Sequence, residues 1–195
     1  MCRWGEGAGV QLAILEWTRK HMYPSKSYLA GRDSYLGDLI MASFTHYWSC
    51  VTIDNMVERK CEGGELVHTA GEDFNRHRVL FGDQIYVVNV RRGILYLIGR
   101  LRVAKVCSRS EAEAALKEDG LWEATEHLIA VARSGTSMRF KRKVSLRTAK
   151  MLRFPNKAGF KKLKCIPRGL LDRQTLRGVR RLDDASAKML DRLIR

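Results

Sequence analysis

None of the 195 residues falls in an apolar run approaching the ~18 that a membrane-spanning helix needs. The N-terminus lacks the basic-then-apolar layout of a secretory signal. Cysteine is sparse: Cys2, Cys50, Cys61, Cys107 and Cys165 are odd in number, widely spread, and form no C-x-x-C pair. The histidines, His21, His46, His68, His77 and His127, supply no metal-ligand spacing. These absences argue against a disulfide framework and a structural zinc. They lead us to expect reduced, mostly buried thiols in a cytoplasmic protein, with no membrane partner and no metal or other cofactor. Also missing are a Gly-rich phosphate loop, a G-x-S-x-G elbow and an H-E-x-x-H pair, so the chain reads as a non-enzyme with no catalytic residue to nominate. There is no internal repeat and no low-complexity tract.

Acidic residues are scarce in one place only. Residues 1–132 hold 16 Lys/Arg against 17 Asp/Glu, whereas residues 133–195 hold 20 against 4. The formal net charge of +15 is therefore carried by the last third. Such asymmetry points to a polyanionic partner, DNA or RNA. A solvated basic face is the plainer alternative, and a surface that docks an acidic protein is another.

The clearest local signal is Phe81–Val106. Gly82-Asp83 is a turn pair, and Ile85–Val90 is an apolar, β-branched and aromatic run. Arg91-Arg92-Gly93 breaks it, and Ile94–Val106 follows, with Gly99 inside. Two such runs around a short Gly-containing loop predict a β-hairpin. A glycine within a strand often marks a bend. Phe44–Thr52 reads as a first strand, Asn55–Cys61 as a short helix capped by Asp54, and 65–78 as a long polar loop. Ser110 and Glu113 are spaced as a capping box for a helix ending near Asp119 and Gly120. His127–Ala132, Arg139–Leu146 and Phe160–Ile166 read as further strands, and Arg147–Arg153 as a short helix. Asp183 or Asp184 caps a final helix that buries Met189, Leu190, Leu193 and Ile194. The fold expected is α+β, mainly β, a small curved or closed β-barrel with short helices and a C-terminal helix. Met41-Ala42-Ser43 would make an ordinary start, so residues 1–40 read as a poorly ordered extension ahead of a domain over 41–195.

Lysines and arginines on a sheet face can follow a phosphate backbone without reading sequence. Tyr47, Trp48 and Trp122 offer faces on which bases stack, and an unstacked base can be flipped into such a pocket. One decoy is present. Ile85-Tyr86 with Tyr96-Leu97-Ile98-Gly99 looks like the paired strands of a GIY-YIG nuclease, for which Arg109 and Glu113 would have to serve; the first glycine is displaced to Gly82.

The order of features resembles the PUA-like superfamily, and within it the EVE domain. Its carriers are Tyr47-Trp48, Asn75-Arg76, Gly82-Asp83, Gly99-Arg100-Leu101-Arg102-Val103, and Leu176-Arg177-Gly178-Val179-Arg180-Arg181-Leu182, spread over Phe44 to Arg195. The chain departs from the family in lacking a tryptophan in the long loop, where only Phe74 stands, and in having Ser49-Cys50-Val51 after Tyr-Trp. The resemblance implies a PUA-like barrel that reads nucleic acid by holding a flipped, possibly modified base, for example a modified cytosine, alongside a separate nuclease or modification enzyme. On it, Tyr47, Trp48, Ser49, Asn75 and Asn89 would form the base pocket, and Arg91, Arg92, Arg177 and Arg180 would contact phosphates.

Overall fold

The computed structural model describes residues 41–194; the extension expected over 1–40 lies outside the described residues. The chain is α+β and mainly β, as its sequence pattern implies. Strand β1 (Ser43–Tyr47) leads into helix α1 (Cys50–Glu58), then β2 (His68–Gly71), β3 (Gln84–Arg91), β4 (Ile94–Cys107), helix α2 (Arg109–Leu116) and β5 (Glu126–Ala130). The basic third adds helix α3 (Leu146–Met151), four short strands in two hairpins, β6 (Arg153–Asn156) with β7 (Gly159–Lys162) and β8 (Cys165–Ile166) with β9 (Leu170–Leu171), then β10 (Val179–Leu182) and helix α4 (Asp184–Ile194). No described helix is long and apolar enough to cross a membrane.

The hairpin stands where the sequence puts it. Arg92 and Gly93 form its two-residue turn with φ of 51° and 73°, the paired positive values of a type I′ turn, whose twist matches the flanking strands. Val87 lies opposite Gly99 but Val88 lies opposite Leu97, so Ile98 is an extra residue and β4 bends there. A side chain on Gly99 would begin 3.2 Å from both Leu66 and Thr136, which explains the glycine.

Six strands form one mixed sheet in the order β10-β1-β3-β4-β5-β2, with β1 parallel to β3 and antiparallel to β10. The backbone ladder is open, so hydrogen-bonded barrel closure is not seen among the described residues. The sheet instead curls until β2 returns beside β1, and side chains bridge the gap. Trp48 Nε1 donates to Thr69 Oγ1 at 2.8 Å, and His46 Nδ1 lies 2.8 Å from the same hydroxyl. A Cβ on Gly71 would sit 3.0 Å from His46 Nε2, so β2 needs glycine to come this close.

Strand β3 is buried on both faces. Ile85 and Val87 face an inner core with Phe44, Ile53, Phe74 and Leu101. Tyr86, Val88 and Val90 face an outer core built from the basic third, including Leu152, Phe154, Leu163 and Leu190. A third cluster seats Ala112 and Leu116 of α2 on Ile129. The outer layer is pinned by polar contacts as well: the Tyr86 hydroxyl and Arg100 Nη1 reach Asp191 Oδ1 on α4 at 2.8 and 2.6 Å.

Several local expectations are corrected. Helix α1 starts at Cys50 and is capped by Ser49, not Asp54, because the Ser49 hydroxyl accepts from Thr52 N at 3.0 Å. The capping box is Ser108 with Glu111, two residues before the pair read from the sequence. The segment 139–146 is turn and bridge rather than strand; Phe140 and Val144 are its buried anchors. The expected strand over Phe160–Ile166 is split between β7 and β8, and β2 and β10 stand where no strand is expected. Cys50, Cys107 and Cys165 are free thiols, and of these only Cys107 is buried.

The closure between β1 and β2 is titratable. Burial pushes the His46 imidazole from 6.5 down to about 4. His68 is driven down to about 3, by burial first and then by the charges of His127 and His46. The unfolded chain therefore binds more protons than the folded one from the ordinary histidine value downward, so stability is complete above about pH 6.5 and is lost as pH falls. Thermal melts from about pH 7.5 to about pH 5 are expected to show a falling Tm; a flat profile over that window contradicts neutral, buried histidines.

Candidate functional site

Residues nominated from the sequence line two concavities. The first is a cavity of about 250 Å³ between α1, the end of β1 and the loop before β5. Its aromatic lining is Tyr47, Trp48 and Trp122. Trp48 is only 2% exposed and forms the floor, its indole N–H spent on Thr69. Trp122 is half-buried and stands edge-on to Trp48, ring centroids 5.7 Å apart at 90°. It also lies 5.7 Å from the His68 ring. His68 Nε2 sits 3.0 Å from His127 Nδ1, a contact that holds one proton when both rings are neutral. Burial, the largest cause in each case, holds both rings below the ordinary histidine value.

Polar groups at the cavity come from one face of α1. Val51, Asn55 and Arg59 are spaced i, i+4, i+8, and Thr52 and Met56 run beside them. Glu123 lies on the opposite side. An amide, a hydroxyl, a carboxylate and a guanidinium around aromatic rings can donate to and accept from the edge of a planar heterocycle. The volume suits one ring system, since pockets for drug-sized ligands run to ~300–1,000 Å³. On the β1 side, Arg173 and Arg177 lie near Tyr47. Their charges act to lower its phenol pKa, while burial, the larger cause, raises it.

The second concavity is a groove of about 480 Å³ lined by Lys161, Lys162, Lys164, Gln174, Thr175 and Arg180, among others. The single-turn 3-10 helix Arg173–Leu176 lines the groove through Gln174 and Thr175, and the charge of Arg173 acts on Tyr47 of the cavity wall.

The sequence-nominated residues divide. Tyr47 and Trp48 line the cavity. Ser49 is the cap of α1. Asn89 is buried and donates to the Trp48 carbonyl at 2.7 Å, so it holds the strand end that carries Trp48. Asn75 is exposed on the 72–79 turn, where its backbone N–H donates to Glu126 at 3.0 Å, outside the cavity lining. Arg91 is exposed and paired with Asp54 at 2.8 Å, and Arg92 is exposed in the hairpin turn. Arg177 is exposed near Tyr47, and Arg180 lines the groove with its Nε buried and unpartnered. The residues nominated for the nuclease reading, Arg109 and Glu113, form an i, i+4 pair at 2.8 Å, and Glu113 also accepts from the backbone of Gly120 and Leu121. Sequence reasoning leaves out Asn55, Arg59 and Glu123. Asn55 and Arg59 fall within the short helix read from the sequence, but Val51 and Thr52 read there as strand, so the face they share is not recognised.

No family model, no curated protein and no solved structure matches this chain. Asn89→Ala should leave the buried Trp48 carbonyl without that donor, at about 1–3 kcal/mol. Urea unfolding checks this; an unchanged midpoint means Asn89 does not support the cavity floor.

Proposed function

We propose that the protein is a nucleic-acid-binding reader module of the PUA-like, EVE type, taking one unstacked base into the Tyr47–Trp48–Trp122 cavity while the C-terminal third holds the phosphate backbone of DNA or RNA. The observation that carries this reading is the convergence on one ring-sized cavity of aromatic walls, helix-borne edge-reading groups and cations. Trp122 offers the partly open ring face for stacking. Asn55, Thr52 and Glu123 are the groups that would read the base edge, and a carboxylate suits the exocyclic amine of a cytosine. Arg59 at the end of α1, with Arg173 and Arg177 near Tyr47, would meet the flanking phosphates. The mainly β fold with its curled mixed sheet supports this reading, and its backbone ladder stays open where the resemblance implies a barrel. Relative to the pocket read from the sequence, the base-contacting set becomes Tyr47, Trp48, Trp122, Asn55, Thr52 and Glu123. Ser49 and Asn89 become supports.

The test is a panel of single- and double-stranded oligonucleotides, with and without 5-methylcytosine, at two salt concentrations. Trp122→Ala should weaken binding by about 5- to 150-fold, the range for losing one stacked base. Arg177→Ala should flatten the dependence of log affinity on log salt by about 0.7–0.9. Oligonucleotide binding untouched by the Trp122 variant discards the cavity, and no binding at all discards the function.

A further inference from the structure

The groove beside β10 has chemistry of its own. Lys161 and Lys162 come from β7, Lys164 from the link to β8, and Arg180 from β10. Three separate segments thus bring four cations to one concavity. Its one acid, Asp172, caps the 3-10 turn by accepting from the backbone N–H of Gln174 at 2.9 Å, and its single negative charge leaves the four cations in excess by three. Among the described residues none of the four cations has an ion-pair partner. The Arg180 Nε is buried without a hydrogen bond. Gathering like charges around a concavity is unfavourable unless an anion enters it.

The hairpin above the groove points the same way. All four residues of β7 are exposed, although its partner β6 anchors Phe154 in the outer core. Phe160 is 58% exposed, an aromatic ring left in water between basic residues. The Arg153 guanidinium lies over it, 5.9 Å from the centroid. Lysines on a free strand edge also guard against edge-to-edge pairing. That role calls for neither an exposed phenylalanine nor the inward convergence of Lys164 and Arg180.

We infer that the β6–β7 hairpin and the groove beneath it form a second nucleic-acid subsite, where a single-stranded segment lays its phosphates along Lys161, Lys162, Lys164 and Arg180 and stacks a base on Phe160. The inference rests on the reading of the protein as a nucleic-acid binder and extends it to a strand that continues past the aromatic cavity. Gln174 and Thr175, on the 3-10 turn, line the same groove. The subsite is insensitive to sequence, because phosphate contacts and stacking carry no base identity.

The experiment compares a single-stranded 20-mer with a trinucleotide of the same central sequence, on the wild type, K161A/K162A/K164A, F160A and W122A. Three of the four substituted groove and hairpin positions lie on the exposed strand β7 and the fourth, Lys164, is exposed as well, and thermal melts verify folding; K161E/K162E provides a second groove variant. For the 20-mer, the triple variant should flatten the salt slope by about 2 and F160A should weaken binding by about 5-fold or more. Neither should change trinucleotide binding. Unchanged 20-mer affinity and slope in the groove variants, with W122A still weakening both ligands, overturns the subsite and leaves the cavity reading standing. Equal losses for both lengths overturn it as a separate subsite. A wild type that binds neither ligand overturns both.

Discussion

A single hydroxyl, Thr69 Oγ1, joins two strands that share no backbone ladder. It takes the indole N–H of Trp48 and, in the arrangement that uses every donor, gives its own proton to His46 Nδ1. The curl of the sheet, the burial of Trp48 and hence the cavity floor all follow from that bridge. It requires a neutral His46, which burial enforces. A backbone ladder would have closed the sheet without regard to side-chain identity; here closure depends on three particular residues and on glycine at position 71.

The basic third has two roles that look incompatible in the sequence. Its Leu152, Phe154, Leu163, Leu171, Leu176 and Leu190 cover the outer face of the hairpin, while its lysines and arginines stay wet. Short elements make this possible. Two-stranded hairpins and 3-10 turns can bury one side chain in two or three and expose the rest, whereas a longer strand would commit a whole face. Positive charge is thereby carried on the layer that covers the outer face of β3 and β4.

What could be read from sequence follows the strength of local chemistry. The hairpin was legible because two β-branched runs flank a turn that needs positive φ, and the bend at Gly99 because a glycine interrupts alternation. The final helix was legible from its apolar spacing and its Asp183 cap, whose carboxylate accepts from Ser186 N at 2.8 Å. Strand β2 was not: His68-Thr69-Ala70-Gly71 carries no β signature and is held by polar contacts to β1 and β5 that only the tertiary fold supplies. The start of α1 was hidden because Val51, Thr52 and Ile53 favour strands in isolation. Segment 139–146 shows the reverse error. Its alternating charges suggest a strand, yet Phe140 and Val144 set its path. Of the site, the Tyr47-Trp48 pair was legible and the helix face opposite it only from Asn55 onward, since Val51 and Thr52 join that face only once the helix begins at Cys50.

Strand β10 fills the sheet edge next to β1, its residues 179–182 opposite 43–46. The first and last strands of the described chain therefore meet across nearly its whole length. During synthesis, an emerging polypeptide can make the β3–β4 hairpin early, because its contacts are local. It cannot complete the sheet until residue 182 has cleared the ribosome. Until then β1 presents an unpaired edge, and the outer side of β3 lacks the leucines that cover it. This is an interval in which a nascent-chain chaperone, or a neighbouring copy on the same polysome, has a strand to grip.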